Sequence, residues 1–137
     1  ELRKRDFVVN WQSVARVPLF AHLDANAIAA VTQLLKPRSV SANQAIVRRG
    51  DIGDSMYFIM EGEVEVDITP NPVRLKQGDF FGEIALVENI PRTATVLSLT
   101  NCRLLVLETA DFERLTSQIP ELKDQIKRIS EKRLSEN

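Results

Sequence analysis

Phe80 to Val96 reads FFGEIALVENIPRTATV, a glycine and a carboxylate at the head of a short apolar helix with an arginine and a hydroxyl further along. The first N–H groups of a GEIAL helix have no intrahelical partners, and its dipole favours an anion at that end. Gly82 lets backbone approach such an anion closely. Arg92 offers a planar fork matched to paired phosphate oxygens, and Thr93 gives or accepts one more hydrogen bond. Glu83 would repel a phosphate that it faced, so it needs a donor, and a sugar hydroxyl is the natural one. Together Gly82 to Ala85, Arg92 and Thr93 describe a ligand whose phosphate and ribose lie close together, as in a cyclic nucleotide.

Outward from this stretch, Arg38 to Glu108 is a series of short runs rich in Val, Ile, Leu and Phe, broken by RGDIGD, EGE, TPNP and KQGD. Those are turn chemistries, and the runs read as strands. EVEVDI alternates charged and apolar residues as a half-exposed strand does, while TATVLSL and CRLLVLE are expected to pair across LTN. On the amino-terminal side the spacing of Phe7, Trp11, Val14 and Ala15 predicts a helix over 6–16, with Asp6 as a cap and Pro18 as its breaker. Asp24 caps a second helix over 25–35, whose stripe is Ile28, Val31, Leu34 and Leu35. Beyond Glu108, Thr109 is expected to cap a helix through ADFERLTSQ. Pro120 then opens the last helix, with Leu122, Ile126 and Ile129 as its seam. The fold class is therefore α+β, mainly β: an eight-stranded antiparallel jelly-roll-like β-barrel flanked by N-terminal and C-terminal helices. Three parts are expected: 1–36 helical, 37–108 the β-roll with the cassette at 80–96, and 109–137 the closing helices.

The Phe80–Val96 string resembles the phosphate-binding cassette of cyclic-nucleotide-binding domains, FGE, apolar residues and a later PR[ST]AT[VI]. The run RRGDIGDSMYFIMEGEVEV, Arg48 to Val66, is similar to the same family's glycine-punctuated strands. DFVVNWQSVARVPLF most resembles the linker between pore and binding domain in bacterial cyclic-nucleotide-gated potassium channels. The resemblance implies a cyclic AMP ligand, with cyclic GMP also admitted because Thr93 occupies the position that in some members meets the guanine amine. It further implies base contacts from Val66 and Val73, and a lid made by the last helix. There the family's arginine falls on Lys127, with Arg128 beside it and Ile126 and Ile129 as apolar neighbours. A lysine does not stack on a base as a guanidinium does. Bland readings stand beside these: Arg92 as a solvated loop arginine, Val66 and Val73 as core, Lys127 and Arg128 as a helix face paired with Asp124 or Glu131.

The 137 residues, 44% hydrophobic, suit one domain, and 18 basic against 19 acidic residues give no global field for nucleic acid. The single Cys102 cannot form an internal disulfide and reads as a buried thiol in a reducing compartment. With His22 the only histidine, no zinc site of the usual ligand types is complete, and Asp51 and Asp54 read as turn formers rather than calcium ligands. No metal is expected. No apolar run reaches the roughly 20 residues of a membrane span. The chain opens at Glu1 without methionine and is expected to be a soluble, monomeric piece of a longer protein. The resemblance places that protein's pore in the membrane as a tetramer, with this part on the cytoplasmic side. A hydrolase is disfavoured, because neither a two-metal set nor GxSxG is present. A transcription regulator or kinase regulatory subunit remains the alternative, although no recognition helix and no pseudosubstrate segment follows.

Overall fold

The computed structural model describes residues 7–136. Eight strands form two four-stranded antiparallel sheets, ordered β1-β8-β3-β6 and β2-β7-β4-β5. The strands are β1 (Lys36–Val40), β2 (Ala45–Val47), β3 (Ser55–Glu61), β4 (Val64–Asp67), β5 (Val73–Leu75), β6 (Phe80–Phe81), β7 (Thr95–Ser98) and β8 (Cys102–Glu108). The expected jelly-roll-like β fold is present, but as two sheets with free edges rather than a closed barrel. Helices α1 (Trp11–Ala15) and α2 (Ala25–Leu34) precede the strands, α3 (Glu83–Glu88) interrupts them, and α4 (Thr109–Gln118) and α5 (Pro120–Glu136) follow.

β3 explains how the layers are joined. Its side chains alternate between two apolar environments, so the whole of Ser55–Ile59 is buried. Met56 and Phe58, with Leu105 and Leu107 of β8, pack under the helices against Phe20, Val31, Phe112, Leu122 and Ile126. Tyr57 and Ile59, with Leu104, point between the sheets toward Val47, Val64, Phe81 and Val96. One sheet therefore carries the helices on one face and a roll interior on the other.

Three local features differ from the sequence expectation. Asn10, rather than Asp6, caps α1: its Oδ1 accepts from the Ser13 N–H at 2.9 Å, and residues 7–9 before it are not helical. Asp6 lies outside the described residues. Asp24 does cap α2, accepting from the Ala27 N–H at 2.8 Å. β7 and β8 do not pair with one another. β7 lies between β2 and β4, and β8 between β1 and β3. The LTN turn thus crosses from one sheet to the other, anchored by the Leu99 N–H on the Glu63 carbonyl at 2.9 Å. Thr109 is the first residue of α4 and not its cap; Glu108 holds the cap position without a side-chain bond. The Thr109 N–H instead donates to the Asp54 carbonyl at 3.0 Å, which ties α4 to the start of β3. Cys102 is a buried free thiol, as read from its apolar run.

Candidate ligand-binding site

Gly82 links β6 to α3 with φ +90°, a left-handed conformation that favours glycine. A Cβ there would lie 2.9 Å from Arg92 Nη1 and 3.1 Å from the Ser55 carbonyl oxygen. The glycine thus makes room for the guanidinium itself. Gly53 does the same from the opposite loop, since a Cβ would meet Ala85 Cβ at 2.3 Å and Arg92 Cζ at 3.1 Å. The cassette closes around one arginine.

Arg92 is only 6% exposed. Its Nη1 donates to the Gly82 carbonyl at 3.0 Å, and its Nη2 donates to Ser55 Oγ at 3.5 Å. Its backbone is pinned to the RGDIGD loop: the Arg92 N–H donates to the Asp51 carbonyl, and the Gly50 N–H donates to the Arg92 carbonyl. Asp54, read from sequence as a turn former, also stands 4.0 Å from Nη2. Burial pulls the Arg92 pKa below its ordinary value, opposed by Tyr57, Asp54, Glu83 and Asp51 around it. A buried guanidinium holding unused donors gains by meeting an anion.

Glu83, the first residue of α3, is fully buried at 0% exposure. Its Oε1 accepts from Arg133 Nη1 at 2.7 Å, while its Oε2 has no hydrogen-bond partner among the described residues. Burial pushes the carboxyl above its ordinary value, and the Arg133 charge, the backbone and Arg92 pull it partly back.

One cavity of about 150 Å³ joins these groups. Gly82, Glu83, Ile84, Ala85, Arg92, Thr93, Val66 and Val73 all line it. Val66 and Val73 sit directly opposite each other in the β4–β5 hairpin, so the apolar wall is built by strand register. The ligand residues read from sequence are therefore brought together. The lid residues are not: Lys127 and Arg128 stand in solvent, and Ile126 is in the core beneath the helices. Arg128 and Ile129 line a separate groove beside Pro18, Leu19 and His22. The α5 residue that reaches the cavity is Arg133, which also lies over the Phe80 ring at 5.0 Å. Its signal was present in the spacing, for Leu122, Ile126, Ile129 and Arg133 follow one helical stripe and only the last is polar. Among the described residues no group of three or more His, Cys, Asp or Glu is placed to hold a metal ion, and no helix is long and apolar enough to cross a membrane.

This combination of a two-sheet roll, a glycine-started cassette and a buried arginine and carboxylate defines a nucleotide-sensing module. The profile of the cyclic nucleotide-binding domain matches residues 37–118, and the chain belongs to that family. Among its relatives, a putative potassium channel protein of Rhodopseudomonas palustris is 44% identical over 140 residues, which cover 99% of this chain and 34% of that protein. A cyclic nucleotide-gated potassium channel of Rhizobium etli is 45% identical, covering 95% of this chain and 37% of that protein. The chain thus spans about a third of the length of the curated relatives it matches. Among solved structures, the regulatory domain of Toxoplasma gondii PKA, co-crystallised with cAMP, superposes with a TM-score of 0.78 at 26% identity, covering 89% of this chain and 48% of that one.

Proposed function

We propose that this domain binds cyclic AMP in the cavity and passes a displacement of α5 to a potassium-channel pore in the same polypeptide. In this reading Arg92 and the N–H groups at the head of α3 receive the ring-closed phosphate. Glu83 Oε2 accepts from a ribose hydroxyl, Ile84 and Ala85 form the adjoining wall, and the base rests on Val66 and Val73. Thr93 adds a hydroxyl that also admits cyclic GMP.

The observation that carries the reading is a fully buried carboxylate with one oxygen unpartnered, in the same cavity as a buried guanidinium. The unpartnered oxygen is a cost that a ligand relieves, because a buried polar atom left unbonded costs about 1–3 kcal/mol. A cyclic nucleotide supplies a hydroxyl for the carboxylate and a phosphate for the guanidinium. The cavity, about 150 Å³, is smaller than the roughly 300–1,000 Å³ of typical small-molecule sites. In this reading Arg133 withdraws from Glu83 as the nucleotide enters, and α5 shifts with it. Ile126 and Ile129 carry that shift to the core, and Lys127 and Arg128 stay in solvent.

The channel relatives support the pore, and the co-crystallised kinase domain supports the ligand. Such a pore makes the domain tetrameric in the full protein and places it at the inner membrane face. The reading is of a binding module and not of a hydrolase. Driving a switch from mostly one state to mostly the other takes about 5.5 kcal/mol of differential binding. A truncated buried charge pair loses about 2–5 kcal/mol, a large share of that. Calorimetric titration with cyclic AMP tests the site: Arg92→Ala weakens binding at least about thirtyfold. An unchanged affinity would contradict the assignment, and appearance of AMP during incubation would move the domain to the enzymes.

A further inference from the structure

Arg92 is held from behind by a chain of hydroxyls. Ser55, 4% exposed, and Tyr57, 5% exposed, both project from β3 into the roll. Their oxygens are 2.9 Å apart and hydrogen-bonded. Ser55 Oγ also lies 3.2 Å from Asp54 Oδ1 and accepts from Arg92 Nη2 at 3.5 Å. Tyr57 Oη in turn accepts from Arg38 Nη1 at 3.5 Å. The Tyr57 ring is fixed by stacking on Phe81, with centroids 5.0 Å apart and planes at 14°. The Arg92 guanidinium lies 6.0 Å from the same ring centroid.

We propose that Ser55, backed by Tyr57, is a positioning residue that fixes the plane of the Arg92 guanidinium before ligand arrives. This rests on the reading of Arg92 as the phosphate clamp. A guanidinium has five N–H donors in one plane. Gly82 O takes one from Nη1 and Ser55 Oγ takes one from Nη2, which sets the orientation of the guanidinium plane. The three remaining donors then hold fixed directions rather than sampling several. A long side chain immobilised in advance does not lose that freedom on binding, so affinity rises without a new ligand contact. Ser55 does not itself line the cavity; its side chain meets the site through Arg92 Nη2, so any effect it has on binding passes through Arg92.

A double-mutant cycle tests this, with cyclic AMP affinity measured by competition against a fluorescent cyclic nucleotide. Ser55→Ala lowers affinity about three- to tenfold, the range of one hydrogen bond, and Tyr57→Phe lowers it less, since Ser55 keeps its contact with Arg92. In an Arg92→Lys background, where one ammonium cannot span both Gly82 O and Ser55, Ser55→Ala changes affinity less than about twofold. Equal losses in the two backgrounds, or no loss from Ser55→Ala beside a wild-type Arg92, would overturn the positioning role while leaving the clamp intact. An Arg92→Lys affinity equal to wild type, or no binding by wild type, would overturn the clamp itself and this inference with it.

Discussion

Glu83 shows how a single side chain trades stability for binding. Its pKa is raised above the ordinary 4.5, first by burial, so the folded chain keeps this proton at pH values where the unfolded chain has released it. Across that window the folded state binds more protons, and stability falls as pH rises from about the ordinary value through the raised one. The buried charge is thus a cost in the unliganded chain, only partly offset by Arg133, whose side chain is 29% exposed. Glu83→Gln removes that cost and leaves Arg133 free to hydrate. Thermal melts near pH 7 place this variant a few degrees above wild type, with the difference vanishing as pH falls toward the ordinary carboxylate value. Cyclic AMP affinity moves the other way, about tenfold weaker, because a charge-assisted hydrogen bond becomes a neutral one. A variant that melted lower at neutral pH would mean that the ion pair to Arg133 outweighs desolvation.

At the scale of elements, α5 is set by its seam. Leu122 and Ile126 are fully buried in the core under the helices, while Lys127 and Arg128 face solvent. Ile126→Ala leaves a cavity there and costs about 2–5 kcal/mol in urea unfolding, whereas Lys127→Ala changes stability by less than about 0.5 kcal/mol. Equal effects would contradict this seating. The seam was legible in the sequence, because apolar periodicity reports which face is buried. Arg133 was not, because the family resemblance points instead to Lys127, and a polar residue at the end of an apolar stripe reads as the point where the buried face ends. Val66 and Val73, taken from the family resemblance, do line the cavity because the β4–β5 hairpin sets them opposite each other. What escaped was set by distant partners. Strands adjacent in sequence read as a hairpin, yet Ser98 bonds back to the Asn43–Gln44 turn, and that commits β7 to the other sheet. Asp54 looked like turn chemistry because nothing local reveals that Arg92 comes to meet it, and Ser55 drew no reading for the same reason.

For the whole molecule, two cores share one sheet. Movement of α5 and occupancy of the roll meet at α3, which holds Arg133 of α5 through Glu83 and lays Leu86 and Val87 on the core under the helices. A ligand at a hundred times its Kd stabilises such a domain by about 2.7 kcal/mol, a rise of about 10 °C in Tm. A thermal scan with cyclic AMP and with 5′-AMP reads this directly, and the rise belongs to the cyclic form. If the domain is joined to a pore as proposed, the same binding energy would appear as a shift in open probability, abolished by Arg92→Ala at equal ligand concentration. The most direct test of the central claim is a crystal structure of this domain with cyclic AMP. The account predicts phosphate oxygens within hydrogen-bonding distance of the Arg92 guanidinium, a ribose hydroxyl on Glu83 Oε2, and Arg133 drawn away from Glu83 Oε1. A nucleotide bound elsewhere, or a phosphate that leaves Arg92 untouched, would contradict it.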